Sequence, residues 1–241
     1  MVFANPTRGL AILADGMGGY NAGEVASGIA ISFLASALET SFFDPVHAAF
    51  EAGRRPSAGD SLAECIAQAN LAIYNAACDE PIYAGMGTTL VMALFFDNRV
   101  TVGHIGDSRL YRLRDGQFIA MTRDHSLLQE QIDSGMITTE EARFSLNRNL
   151  VTRALGVEPW VESEIHTYDA LPNDIYLLCS DGLNDMASDE EIHLMLQTLS
   201  GDLEMAADQL IQMANDNGGR DNISVILAKV LRAFPEEPGA K

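Results

Sequence analysis

The sequence predicts an α+β domain built in layers, and three observations carry that expectation. Apolar segments of strand length cluster over residues 88–121 with no helix between them. Helical periodicity falls in paired blocks outside that cluster. Carboxylates recur where apolar runs end, at Asp15, Asp107 and Asp181. Strict strand-helix alternation would favour a doubly wound sheet, whereas runs of strands interrupted by paired helices favour antiparallel sheets layered with helices.

The first element is Leu10-Ala-Ile-Leu-Ala14, an uninterrupted apolar run that stops at Asp15-Gly-Met-Gly-Gly19. A run of that kind bounded by glycines is a strand buried on both faces. Over 22–40, Val25, Ile29, Phe33 and Ala37 recur every fourth residue with Leu34 and Leu38 beside them, the pattern of an amphipathic helix. A loop over 42–59 follows, marked by Pro45, Pro56 and Gly59. Ser61 with Glu64 has the spacing of a capping box and opens a second helix that reaches about residue 77, with Leu62, Cys65, Ile66, Ala69 and Ile73 on one face.

Strands are then expected over 88–96, 100–105, 110–114 and 117–121, as an antiparallel meander. Its turns are Asp97-Asn98 and Asp115-Gly116, the second a favoured two-residue hairpin dipeptide. Residues 125–149 return to helical spacing at Leu127, Leu128, Ile132 and Met136, and Thr138 with Glu141 caps a short helix. This polar insertion is a lid over a site or a plain connection. Strands follow over 161–168 and 175–180, a helix capped by Ser188 with Glu191, a helix over 202–215, and a last strand over 222–230. A tail over 232–241, made of Pro, Glu and Gly among others, is expected to be disordered. With no repeat and no Pro- or Gly-rich linker, residues 1–231 are expected to form a single domain.

Of the 241 residues, 34 are Asp or Glu and 15 are Lys or Arg, for a formal net charge of -19. Nucleic acid and anionic membrane both demand positive surface, so neither is expected as a partner. Divalent cations suit the balance better. Cys65, Cys78 and Cys179 are odd in number and form no CxxC pair, which argues against a disulfide framework and for a reducing cytoplasm. Neither an export segment nor an apolar run of membrane-spanning length is expected.

A fourth carboxylate, Asp221, opens the final strand, so four strand ends each offer an aspartate. An ionised carboxylate against a buried strand is costly unless something pairs with it. No basic residue recurs at a fixed offset from these four, which leaves metal ions as the simplest partner.

With Gly85-Met-Gly-Thr-Thr89, Gly106-Asp-Ser-Arg109, Ser180-Asp-Gly-Leu183 and Gly219-Arg-Asp-Asn222 added in order after Asp15-Gly-Met-Gly-Gly19, the chain resembles the metal-dependent protein phosphatase family of the protein phosphatase 2C type. Met17 after Asp-Gly is similar to its bacterial branch. The resemblance implies a four-layer αββα sandwich of two antiparallel sheets flanked by helices. It also implies a centre of two Mn²⁺ or Mg²⁺ ions, with a third in many bacterial members. It gives Asp15 the role of bridging two ions, Gly16 a backbone carbonyl ligand, Asp181 and Asp221 further ligands of the first ion, and Asp107 a share of the third with Asp181. Such hard ions take oxygen ligands.

The implied reaction is hydrolysis of phosphoserine and phosphothreonine in proteins by a metal-activated water. The implied setting is cytoplasmic signalling, with a monomeric enzyme opposing a Ser/Thr protein kinase. Signatures of other hydrolases, GxSxG, HExxH and a phosphate loop, are absent. His125, in Arg123-Asp-His-Ser126, is the candidate to protonate the leaving alkoxide, against a structural role in a hydrogen-bonded pair. His104 is expected in a strand core, and His47, His166 and His193 show no pairing.

One departure is expected to matter. The family normally has, upstream of Asp-Gly, a first strand with a phosphate-gripping Arg and an Asn-Glu-Asp. Here only fourteen residues precede Asp15, and the first seven hold neither Arg nor an acid. That strand is expected to be missing, through a mis-assigned start, a truncation or a natural loss. Phosphate clamping and one metal shell would be weaker without it. The competing readings are a regulatory pseudophosphatase that binds without turnover and a small-molecule phosphatase on the same scaffold.

Overall fold

A computed structural model describes residues 1–19, 21–44, 57–142, 145 and 150–235. Val2–Asn5 (β1) turns through Pro6 and Gly9 onto Leu10–Leu13 (β2), with Val2 opposite Leu13 and Asn5 opposite Leu10. β1 lies outside the expected elements, because four residues are too few to show a period. After Asp15 the short Gly16–Met17 (β3) pairs with Gly87–Thr88 (β4).

The first helix is Ala22–Leu38 (α1), extended by a π-helical turn at Glu39–Phe43, and the second is Ala58–Asp79 (α2). Ser57, not Ser61, caps α2: its Oγ accepts the Asp60 N–H at 3.1 Å, while Ser61 is buried inside the helix. Each serine has an acid three residues on, Asp60 or Glu64, so the sequence signature fits both and packing decides. Within α1 and its extension, Ala22–Phe43 reaches a mean hydropathy of 1.4, long and apolar enough to cross a membrane by length and composition. This corrects the expectation that no run reaches that length. In the fold Ala26, Ala30, Leu34 and Leu38 are buried in the same cluster as Leu62 and Ile66 of α2, as in a core helix.

Leu90–Phe96 (β5) and Arg99–Ile105 (β6) form one hairpin, turning at Asp97 and Asn98 with φ of 49° and 55°. Arg109–Arg114 (β7) and Gln117–Ala120 (β8) form another, turning at Asp115 and Gly116 with φ of 50° and 76°. The expected single meander is corrected here. The hairpins lie in different sheets, and the chain crosses between them through Gly106, Asp107 and Ser108.

The rest comprises the short helices Leu127–Asp133 (α3) and Thr139–Ala142 (α4), Glu164–Asp169 (β9) and Ile175–Cys179 (β10). Asp181–Asn184 (α5), Asp189–Thr198 (α6), Leu203–Asp216 (α7) and Val225–Lys229 (β11) complete it. The capping boxes expected at Ser188 and Thr138 are formed. β9 and β11 each begin three residues later than expected. Residues 45–56 of the expected loop, His47 and residues 236–241 of the tail lie outside the described residues.

One sheet has the order β1-β2-β5-β6-β9 and the other β11-β10-β7-β8, with all pairs antiparallel. Three apolar layers separate the elements. Ile12, Leu34, Leu62, Ile66 and Leu90 join the first sheet to α1 and α2. Leu13, Val91, Val102, Leu110, Tyr176 and Leu178 fill the space between sheets. Tyr111, Leu177, Ile192 and Leu210 join the second sheet to α6 and α7. Alternation along β10 sends Tyr176 and Leu178 inward and Leu177 and Cys179 toward the helices, as the period of two requires. The architecture is the expected αββα sandwich.

The second sheet ends at β11. Ser180 N–H bonds the Ser224 carbonyl and Val230 N–H bonds the Asp174 carbonyl, so alternation turns the backbone of Val225, Leu227 and Lys229 outward. Among the described residues no strand pairs with that edge. A groove of about 630 Å³ runs beside it, with Asn5, Pro6 and Leu10 on one wall and Ile226, Ala228 and Phe234 on the other.

Candidate metal centre

The four aspartates singled out by their position converge at one end of the sandwich. Asp15 follows β2 and Asp107 follows β6, both in the five-stranded sheet; Asp181 follows β10 and Asp221 precedes β11, both in the four-stranded sheet. Their backbones are held by close packing of the strand ends. The Asp15 N–H donates to Thr89 Oγ1 at 3.2 Å, and its carbonyl accepts from Thr89 N–H at 2.8 Å and Thr88 Oγ1 at 2.9 Å. Thr89 Oγ1 in turn lies 2.7 Å from Ser108 Oγ, beside Asp107. On the other sheet Ser180 Oγ donates to the Asn222 carbonyl at 3.1 Å and accepts the Ser224 N–H at 3.0 Å. Gly182 permits that approach, since a Cβ there would stand 2.4 Å from the Asn222 carbonyl oxygen.

The electrostatics are those of a cluster short of positive charge. Burial first, then repulsion from Asp107, Asp15 and Asp221, pushes the Asp181 carboxyl up to about 8. Burial, with repulsion from Asp124 and Asp15, takes Asp107 to about 6. Asp15 is raised by burial and by Asp221. Asp181 Oδ1 is buried and has no hydrogen-bond partner. Arg109, a cation near Asp107, is committed elsewhere: its Nε and Nη2 hold both oxygens of Asp124 at 2.8 and 2.7 Å, and the N-terminal ammonium only partly offsets the rise at Asp15. An orphaned carboxylate oxygen among mutually repelling acids fits a hard divalent cation, which offers charge and takes oxygen ligands. Asp15, Gly16, Asp107, Asp181 and Asp221 are the residues that could hold such ions.

A cleft of about 430 Å³ adjoins the cluster. Asp107 and Asp181 lie at its floor, Leu128, Gln129 and Ile132 of α3 on one wall, and residues 184–189 on the other. The polar insertion after His125 therefore borders the site.

His125 is buried, at 8% exposure, and both ring nitrogens are engaged. Nδ1 accepts the Gly106 N–H at 3.2 Å and Nε2 lies 3.2 Å from Glu164 Oε2. That geometry matches the structural alternative to a proton donor. His104 is buried in its strand and stacks on His125 with ring centroids 4.8 Å apart. His166 is paired after all, with Glu164 Oε1 at 2.8 Å from its Nε2. His193 stacks against Phe118 at 5.6 Å. Arg109 and Ser180 close and open two of the quoted motifs and Asp124 precedes His125, but nothing in those stretches shows the Arg109–Asp124 pair or the Ser180 bonds, and Glu164 has no spacing signature at all.

The family model described as protein phosphatase 2C matches residues 3–230. The chain is similar to the serine/threonine protein phosphatase PstP of Mycobacterium tuberculosis, at 42% identity over 92% of this chain. It spans 40% of the length of that relative. It is also 36% identical to the serine/threonine phosphatase stp of Listeria innocua, covering 95% of this chain and 87% of that one. Among solved structures, the M. tuberculosis PstP/Ppp phosphatase superposes with a TM-score of 0.84 at 39% identity, over 96% of this chain and 92% of that one. The PstP catalytic domain in complex with two manganese ions gives a TM-score of 0.81 at 39% identity, over 96% and 90%.

Proposed function

Because the chain belongs to the protein phosphatase 2C family, we propose that it is a metal-dependent serine/threonine protein phosphatase, with residues 1–231 as one catalytic domain. The observation that carries this reading is the convergence of Asp15, Asp107, Asp181 and Asp221 from four strand ends, with a buried oxygen of Asp181 left without a partner. Asp15, the Gly16 carbonyl, Asp181 and Asp221 would hold two Mn²⁺ or Mg²⁺ ions, and Asp107 with Asp181 would hold a third. When bound, the ions neutralise phosphoryl charge and lower the pKa of an attacking water.

The chain's own residues do the rest. Thr88 and Thr89 fix the Asp15 backbone so that its carboxylate is presented rather than hydrogen-bonded to the strand. Ser180 ties the Asp221 loop to the Asp181 strand end and so sets the spacing of two ligands from neighbouring strands. The Arg109–Asp124 pair lines the cleft without cancelling the cluster's charge. The wall formed by α3 shields the approach of a phosphorylated side chain.

Its substrates are phosphoserine and phosphothreonine proteins, placed opposite a Ser/Thr kinase in cytoplasmic signalling, and it works as a monomer. The open edge of β11 supports the reading that the sandwich can take one more strand there, one that would carry a phosphate-gripping Arg. A pure binding module would have no need of costly clustered carboxylates, so the pseudophosphatase alternative has no support.

The test is hydrolysis of a phosphothreonine peptide with Mn²⁺, abolished by chelator and by Asp181→Asn. Turnover that survives both overturns the assignment. The strand reading has its own test: a version carrying an upstream Arg and Asn-Glu-Asp segment should turn over faster than the 241-residue form. Equal rates would refute it.

A further inference from the structure

Glu164, the first residue of β9, sits at the centre of a histidine cluster that the metal centre does not use. Its Oε2 is 3.2 Å from His125 Nε2 and 3.8 Å from His104 Nε2, and its Oε1 is 2.8 Å from His166 Nε2. The ligand atoms of His104, His125 and Glu164 all lie within 4.8 Å of one another, a spacing that would suit a transition metal. Proton accounting argues otherwise. The Gly106 backbone N–H can only donate, so His125 Nδ1 must be the bare nitrogen and Nε2 carries the proton. The Arg123 carbonyl can only accept, so His104 Nε2, 2.8 Å away, carries its proton too. Neither Nε2 has a lone pair to give a metal, and Glu164 faces two N–H groups.

What the cluster holds is Gly106. The His125 ring accepts the Gly106 N–H, and the His125 backbone N–H donates back to the Gly106 carbonyl at 2.9 Å. Gly106 has φ of 99°, and a Cβ there would lie 2.8 Å from Thr89 Cβ, so this residue is clamped between Thr89 and His125. The next residue is Asp107. Burial keeps the His125 ring below its ordinary pKa despite Glu164, which favours the neutral ring that the clamp needs. Burial opposes the Glu164 charge, but hydrogen bonds from His166 and His125 outweigh it and hold that carboxyl below its ordinary range.

We propose that Glu164 is a positioning residue for the metal centre: by accepting the hydrogen bond of the His125 Nε2–H it fixes the tautomer that grips Gly106, and so sets the affinity of the ion that Asp107 would hold. The proposal rests on the metal-ligand reading of Asp107 given above. Partners that orient a ligand from outside the coordination sphere typically change metal affinity by about 10–100-fold when removed.

Two measurements on the full chain test it. Nitrogen-15 NMR of the metal-free protein should show His125 protonated at Nε2 alone. Glu164→Ala should mix the tautomers, and Glu164→Gln, whose amide oxygen can accept the same proton, should restore them. Calorimetric Mn²⁺ binding should show one site weakened about tenfold or more in Glu164→Ala, recovered in Glu164→Gln, with no further loss when Glu164→Ala is added to Asp107→Asn. KM for a phosphopeptide at saturating Mn²⁺ should stay unchanged. A wild-type His125 protonated at Nδ1, or Mn²⁺ binding that Glu164→Ala leaves intact, overturns the proposal alone. Failure of the wild type to bind Mn²⁺ removes the underlying metal reading as well.

Discussion

Ser180 Oγ donates to the Asn222 carbonyl at 3.1 Å, and this contact helps tie the strand end that bears Asp181 to the loop that bears Asp221. The same hydroxyl accepts the Ser224 N–H, and Ser180 is fully buried. Ser180→Ala leaves the half-buried Ser224 N–H and the Asn222 carbonyl without this partner. It should cost about 1–2 kcal/mol in denaturant unfolding and raise the Mn²⁺ concentration needed for half-maximal activity.

Gly182→Ala should be worse for the site than for the fold. The added Cβ meets the Asn222 carbonyl at 2.4 Å, so the loop must retreat and carry Asp221 with it. Loss of Mn²⁺ binding by calorimetry, with circular dichroism unchanged, is the expected result. Normal binding would mean that the Asp221 loop is not needed for the ion.

The pH dependence of the metal-free protein follows from Asp181. Folded, it keeps its proton up to about 8, whereas its ordinary value is 3.8. The folded state therefore binds more protons than the unfolded chain across that window, and stability falls as pH rises through it. Asp181→Asn should remove much of the fall and leave the metal-free protein more stable at pH 8, by on the order of 2 kcal/mol. Saturating Mn²⁺ should reverse the slope in the wild type, because binding displaces the protons. Thermal melts from pH 5 to 8 with and without Mn²⁺ measure both effects.

Away from the site, Asp174 is 1% exposed and takes Arg114 in two bonds of 2.7 and 2.6 Å, with Tyr176 Oη and the Leu171 N–H as further donors. Asp174→Ala strands a partly buried guanidinium and should cost about 3 kcal/mol or more in urea unfolding. Mn²⁺ affinity should remain unchanged.

How far the sequence alone carried the structure depends on the kind of signal. The strands and the four aspartates were legible because apolar runs that end in a carboxylate are local patterns, visible over six residues or fewer. β1 was not legible, since its four residues gain their register only from β2. The split of the meander was hidden too: nothing in Gly106-Asp-Ser108 distinguishes a tight connection within one sheet from a crossing between two. Glu164 and His125 are 39 positions apart, and a hydrogen bond across that separation leaves no periodic trace. The α2 cap was ambiguous because Ser57 and Ser61 share the same spacing to an acid.

Two of the four carboxylates come from each sheet, and the space between the sheets is filled by greasy contacts of the Leu13 and Leu178 kind. An ion seated among those carboxylates is a rivet through both leaves of the sandwich. Loading it should stiffen the whole body against shear, so slowed hydrogen exchange is expected in β5 and β10 as well as in the loops that touch the ion.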